Sequence, residues 1–276
     1  MNYKYITGFI NEDFFKTVKQ GLSEAAEQLH VCAEFIGTES DDCDALNALI
    51  YEAIGEKCDG IAVNFIHPTK LNPALKACGE AGIPVVAFNM DGDRELRLCA
   101  VSQQFYEAGK RLGDRLAGSV EEGASVLFTQ HDPDIRALED REAGIREALR
   151  EKNLITYRVI SGNNPKLACE NIYRTLEEHP DIRWIFSTGQ SDTHGAGLVS
   201  QAMPERKLKI GGFDVCNEIL CMIRQGIIEA TVDQQPYVQG FYPLLLLHQY
   251  RTRGITPFDI DTGSVIIDRE KLALLS

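Results

Sequence analysis

The chain has 276 residues, 44% of them hydrophobic and 25% charged, which suits two globular domains of ordinary size and excludes a disordered or fibrous chain. Forty-one Asp and Glu against 28 Lys and Arg give a formal charge of -13, which argues against a nucleic-acid surface because phosphate contacts need clustered cations. No apolar run approaches the roughly 20 residues that span a bilayer; the longest, at 244–247, reads as a helix core.

The first seven residues read as the run-up to a strand rather than a secretory leader. A cytoplasmic protein, or one whose targeting segment lies outside this sequence, is therefore expected. The eight cysteines include no Cys-x-x-Cys, and the nearest pair, Cys216 and Cys221, has no His at ligand spacing. They read as small buried hydrophobes, and their number favours a reducing compartment.

Strands and helices alternate almost throughout. Strands are predicted at 5–10, 31–36, 60–65 and 99–101, and residues 82–88 read as a turn feeding another buried strand. The helices between them include one in which Phe14, Phe15, Val18, Leu22, Ala25 and Leu29 recur at helical spacing. The alternation then restarts: helix 105–116, strand 125–129, helix 138–152, and strands at 156–160, 184–187, 208–212 and 228–232. A late helix at 237–253 and a last strand at 263–267 complete the chain. Short apolar strands separated by helices predict parallel sheets covered on both faces. The expected fold is α/β, with two doubly wound, Rossmann-like domains of about five strands each. An eight-stranded barrel fits the length, but there are more than eight strands, and a seam falls near 101–105.

In open parallel sheets, ligands bind beyond the carboxyl ends of the strands. Following those ends gives Asn11, Glu12, Asp13, Phe14 and Phe15; Asn89 and Asp91; Gln130, His131 and Asp132; Gln190, Ser191 and Asp192; Asp214; and Asp233 and Gln234. Amides and carboxylates suit sugar hydroxyls, which donate and accept at once, while an aromatic face covers the C–H side of a ring. Asp13, Ser191 and Asp192 fit helix N-caps equally well. Asp214, after Gly211-Gly212-Phe213, and Gln234, before Gln235-Pro236, favour a ligand; Asp214→Ala is expected to remove binding with little loss of fold.

No Gly-x-Ser-x-Gly, His-Glu-x-x-His, P-loop or dinucleotide fingerprint is present. The histidines are too scattered for a metal site, and His131 beside Asp132 reads as a polar loop residue near a pocket mouth. No enzyme, cofactor or metal is expected.

Several segments together resemble the type I periplasmic-binding-protein family, which includes ribose-type sugar receptors and the effector domains of LacI-type repressors. They are Asp13-Phe14-Phe15 with its helix through Gly21, Cys58-Asp59-Gly60-Ile61, Ala81-Gly82-Ile83-Pro84-Val85-Val86, Ala108-Gly109, Asp140-Arg141-Glu142-Ala143-Gly144, Gly212-Phe213-Asp214 and Thr231-Val232-Asp233-Gln234-Gln235-Pro236. The resemblance covers essentially the whole chain, and the stretch 234–240 looks closer to transport receptors. It implies an N-terminal lobe of 1–102 plus 235–261 and a C-terminal lobe of 103–234 plus 262–276, joined by a three-strand hinge that closes on a ligand in the cleft. It implies that Phe14 and Phe15 edge or sandwich the ligand ring, Arg141 reaches a ring or anomeric oxygen, Asp214 accepts from paired hydroxyls and Gln234 donates near the hinge. Glu12, Asn89, Gln104 and Gln190 stand at or beside other contact positions.

Departures are visible. Ribose-type members carry Asp-Arg where this chain has Asn89-Met90, an Asn where it has Gly189, and an aromatic near Asn163. The expected function is a solute-binding receptor for a sugar or polyol, partnered by a membrane permease and working extracytoplasmically. The alternative is the cytoplasmic effector domain of a LacI-type regulator lacking its DNA-binding headpiece, which makes no nucleic-acid contact itself; the cysteines favour that compartment.

Overall fold

A computed structural model of the chain describes residues 1–133 and 135–275. It divides into an N-terminal unit, 1–103 with 235–262, and a C-terminal unit, 104–234 with 263–276.

The N-terminal unit contains β1 (Asn2–Thr7), α1 (Phe14–Leu29), β2 (Cys32–Gly37), α2 (Cys43–Gly55), β3 (Gly60–Val63), α3 (Asn72–Glu80), β4 (Val85–Asn89) and β5 (Cys99–Ser102). The C-terminal unit contains α4 (Phe105–Leu116), β6 (Ser125–Gln130), α5 (Arg136–Ala148), β7 (Ile155–Ile160), α6 (Pro165–Glu178), β8 (Trp184–Ser187), α7 (Gln190–Ala202), β9 (Lys209–Phe213), α8 (Asn217–Gln225) and β10 (Ala230–Asp233). The chain then returns to the first unit for α9 (Pro236–Arg253) and β11 (Ile260–Asp261), and ends in the second with β12 (Val265–Asp268) and α10 (Arg269–Leu275).

Each unit holds a six-stranded sheet, ordered β11-β5-β4-β3-β1-β2 in the first and β12-β10-β9-β8-β6-β7 in the second. The order reverses beside β1 in one sheet and beside β6 in the other, and such switch points open a crevice at the carboxyl ends of the flanking strands. The central strands β3 and β8 are buried along their whole length, as expected for strands covered on both faces. In the N-terminal unit one face packs on α2 and α3 through Leu46, Ile50, Ala74 and Leu75, and the other on α1 and α9 through Val18, Leu22, Leu244 and Leu247.

Three details depart from the sequence expectations. The sheets have six strands each rather than about five: the two-residue β11, which was not expected, joins the first, and the last strand expected at 263–267 joins the second as its edge strand β12. β12 runs antiparallel to β10, so the second sheet is not wholly parallel. Finally, β1 begins at Asn2 and ends at Thr7, not at 5–10. Lys4 is buried in mid-strand, where Glu34 and Glu56 both pair with its ammonium, at 2.7 and 2.8 Å.

Close helix contacts explain several of the glycines. A side chain at Gly109 of α4 would collide with the Arg141 carbonyl oxygen of α5, and one at Gly144 with that of Tyr106. Gly21 and Gly240 play the same part between α1 and α9. The α4–α5 approach sets where Arg141 stands.

Candidate functional site

In the N-terminal unit the carboxyl ends of three strands are tied together. Asn64, just after β3, donates to the Thr7 hydroxyl at 3.1 Å, and its own amide oxygen accepts from the Met90 N–H at 3.3 Å. Asn89 ends β4 at φ +61°, a left-handed conformation that Asn tolerates better than most residues. Its amide donates to Gln239 of α9 at 3.1 Å, and Gln239 is completely buried. Glu12 is half-buried in the turn before α1. Phe14 is half-buried and meets Phe15 edge-on at 5.2 Å, whereas Phe15 is 3% exposed and packs on Phe35 in the core. The two aromatics therefore differ: Phe14 lies nearer the surface, and Phe15 belongs to the interior. Asp13 pairs with Lys16 at 2.6 Å on the surface and makes no side-chain cap.

In the C-terminal unit, Arg141, Asp214 and Gln234 come together although they are far apart in sequence. Arg141 is 3% exposed, donates from Nη1 to the Thr188 carbonyl at 2.8 Å, and lies 3.8 Å from Asp214. Its guanidinium is 4.4 Å from the ring centre of Phe213 and 5.2 Å from that of Phe105, an aromatic seating that suits a planar cation. Gln234 donates to Asp214 at 2.5 Å. Burial pushes the Asp214 carboxyl pKa up, opposed by the Arg141 charge, the Gln234 hydrogen bond and a backbone N–H of Gln190. Burial likewise lowers the Arg141 pKa, opposed by Asp214 and Asp192. Gln190, half-buried, opens α7, and Gln104 is exposed at the start of α4.

Asp192 stands behind this cluster and is completely buried. It accepts from the Thr129 hydroxyl at 2.8 Å, the Thr188 N–H at 2.8 Å and the Gly189 N–H at 2.9 Å. Of the two readings the sequence left open, the cap is the one realised, and the turn it fixes carries the carbonyl that anchors Arg141. Burial raises its pKa to about 7 against those hydrogen bonds.

Sequence reasoning missed Gln239 and the Asn64 bridge. Gln239 lies inside α9 and not after a strand, whereas Asn64 directly follows β3, a signal that was available. His131 was read as a polar loop residue; its Nδ1 is sealed from solvent with no hydrogen-bond partner among the described residues, and its ring abuts Gly189. Among the described residues no group of three metal-ligating side chains forms a cation site, and no helix is long and apolar enough to cross a membrane.

The three points where the chain passes into or out of the N-terminal unit are also linked. The Thr262 N–H donates to the Ser102 carbonyl at 3.0 Å, and the Gln235 amide donates to the Thr262 carbonyl.

Comparison with known proteins gives a consistent picture. The family described as periplasmic binding protein domain matches residues 4–254. The chain is 26% identical to the xylose/arabinose-binding protein XylF of Sulfolobus acidocaldarius, over 97% of this chain and 71% of that protein. It is 20% identical to the ribose import binding protein RbsB of Bacillus subtilis, over 84% and 75%. Among solved structures it is similar to GanP, a glucose-galactose binding protein from Geobacillus stearothermophilus, with a TM-score of 0.88, 25% identity and 99% of each chain covered. It shares its fold with an ABC transporter solute-binding protein from Agrobacterium vitis with bound D-fucose, with a TM-score of 0.91, 19% identity and coverage of 99% and 97%.

Proposed function

Because this chain belongs to the periplasmic binding protein domain family, we propose that it is a solute-binding receptor that takes a sugar or polyol and hands it to an ABC-type importer. The observation that carries this reading is the buried Arg141–Asp214–Gln234 cluster at the strand ends of the C-terminal unit. Charged and amide groups held there present fixed donors and acceptors to a ligand rich in hydroxyls. Glu12, Phe14, Phe15 and Asn89 are the proposed contacts from the N-terminal unit, and Gln104, Arg141, Gln190, Asp214 and Gln234 those from the C-terminal unit.

The relatives reported above are named as sugar-binding and import-binding proteins, which favours a transport receptor over a regulator's effector domain or an enzyme. The linked segments at Ser102, Gln235 and Thr262 are the proposed hinge. It works by population shift, since a ligand that prefers one conformation increases its share.

An extracytoplasmic site of action belongs to the same proposal, and the relatives lend the cytoplasmic alternative no support. The cysteines do not oppose it. Cys43, Cys58, Cys78, Cys99, Cys169 and Cys216 all have thiol pKa values raised by burial, to about 12 for Cys78 and Cys99, and a protonated buried thiol is a poor nucleophile.

Thermal denaturation with a panel of pentoses, hexoses and inositols tests the reading. Ligand at 100 times its Kd should stabilise the folded protein by about 2.7 kcal/mol. A melting temperature unmoved by every sugar and polyol in the panel would exclude the receptor function.

A further inference from the structure

Arg97, in the loop between β4 and β5, carries its charge on a side chain that is only 4% exposed. Its guanidinium forks onto two carboxylates. Nε and Nη2 donate to the two oxygens of Asp91, both at 2.6 Å, and Nη1 and Nη2 donate to those of Asp259, at 2.7 and 3.3 Å. One Asp259 oxygen also accepts from the Ala100 N–H at 2.9 Å. A planar guanidinium can serve two carboxylates in this way, whereas the compact ammonium of a lysine cannot reproduce the fork.

The two carboxylates belong to segments without regular structure. Asp91 stands two residues past Asn89, in the loop whose Met90 N–H is held by Asn64. Asp259 ends the loop that follows α9, in which Ile255 and Phe258 are exposed, and it immediately precedes β11. β11 is only Ile260 and Asp261, paired with Val101 and Ser102 of β5. The chain then leaves the N-terminal unit after Thr262. The next residue, Gly263, has φ +81°, a conformation that glycine adopts readily and other residues seldom do. Asp259 is thus the fixed point before the crossover, and Gly263 the permissive residue after it. A buried ion cluster is a weak source of stability, because desolvation offsets the attraction; what such a cluster can supply is one defined arrangement of the groups it joins.

We propose that Arg97 is a positioning residue of the hinge: by holding Asp91 and Asp259 together it makes the Asn89 loop and β11 one rigid body, so that bending of this crossover is confined to Thr262 and Gly263; this rests on the receptor function and the hinge proposed above. Arg97 touches no sugar in this role. Loosening the joint reduces the population competent to bind, and apparent affinity falls with that population even when every contact group is intact.

The test is isothermal titration of D-ribose, D-xylose, L-arabinose, D-galactose and myo-inositol into the wild type, Arg97→Met, Arg97→Lys and Asp259→Asn. Ligand-free melting temperatures and amide hydrogen exchange are measured in parallel. For the sugar that the wild type binds most tightly, Arg97→Met should weaken affinity about 2- to 30-fold, the range for residues that modulate coupling without touching a ligand. Asp259→Asn, which keeps an acceptor for the Ala100 N–H, should weaken it in the same direction. Arg97→Lys should recover melting temperature but not affinity. In ligand-free Arg97→Met, exchange should rise in residues 89–92 and 259–262 together, as expected when one cooperative unit opens. A lowered melting temperature with wild-type affinity in Arg97→Met would assign a purely structural role and overturn the proposal. Full affinity in Arg97→Lys overturns it too, as does exchange that rises in only one of the two segments. Should Arg97→Met fail to fold, Arg97→Lys decides alone by the same criterion. No sugar binding by the wild type removes the receptor function itself, and the exchange pattern, which needs no sugar, still decides whether Arg97 joins the two segments.

Discussion

Gln234 donates from Nε2 to the Asp214 carboxylate across 2.5 Å, joining the residue after β9 to the residue after β10. Asp214 makes that bond from φ +69°, a left-handed conformation uncommon for non-glycine residues but better tolerated by Asp and Asn than by most. Its backbone is secured on both sides: its N–H donates to the Val232 carbonyl at 2.8 Å, and its carbonyl accepts from the Thr231 hydroxyl at 2.8 Å. Side chain and backbone together fix the carboxylate where Arg141 also stands.

Asp214→Asn keeps the shape and removes the charge. Hydrogen bonds to a charged group contribute about 1.5–3 kcal/mol, so sugar affinity should fall roughly 10- to 150-fold, as measured by titration calorimetry. The expectation of little structural cost for Asp214→Ala needs amendment. Arg141 is buried beside this carboxylate, and removing one partner of a buried pair leaves the other uncompensated. Asp214→Ala should therefore also lower the ligand-free melting temperature, which differential scanning calorimetry would register.

Arg141→Lys preserves charge but not shape. An ammonium cannot lie flat against Phe213 and Phe105 while donating to the Thr188 carbonyl. Affinity should fall by about tenfold or more, the equivalent of 1.4 kcal/mol. Retained affinity would mean that charge alone is read at this position.

Gly144→Ala acts on the same residue from a distance. The added methyl meets the Tyr106 carbonyl, so α4 and α5 must separate. Overpacking of this kind costs about 1–3 kcal/mol, and binding should weaken as well because Arg141 moves with α5. Denaturant unfolding and titration of one preparation would show both losses together.

Asp192 predicts a pH dependence. Its folded pKa, about 7, lies above the ordinary value of 3.8, so the folded protein binds the extra proton more readily than the unfolded chain does. The stability it contributes is fully present below about pH 4 and is lost as pH rises toward 7. Asp192→Asn resembles the protonated acid and lacks this titration. Unfolding free energies compared between pH 4 and 7.5 should show the wild type losing stability relative to Asp192→Asn. Parallel profiles would mean that the carboxylate is ionised throughout.

Thiol labelling should be selective. Cys32 and Cys221 are exposed, whereas Cys43, Cys58, Cys78 and Cys99 are buried. A chromogenic disulfide reagent should modify the first two rapidly in the native protein and the buried four only on unfolding, as peptide mass mapping would show.

Most of the fold was legible because hydrophobic periodicity reports burial directly. The helix at 105–116 and the strand at 184–187 were read to the residue. The misreadings share one cause, a partner remote in sequence. Lys4 in β1 is paired by Glu34 and Glu56, and β11 is a strand only because β5 lies beside it.

The strand-end rule had already singled out Arg141's neighbours Asp214 and Gln234, since residues that follow buried strands must gather at one end of a parallel sheet. That much was determined by the order of residues alone. Tertiary structure decided what each group does there. Phe15 packs in the core while Phe14 stays near the surface, Asp192 holds a turn, and His131 takes the space that Gly189 leaves open. The reason is physical: periodicity along a chain encodes which face is buried, whereas hydrogen-bond partners and shifted proton affinities depend on distances of a few ångströms between segments that only folding brings together.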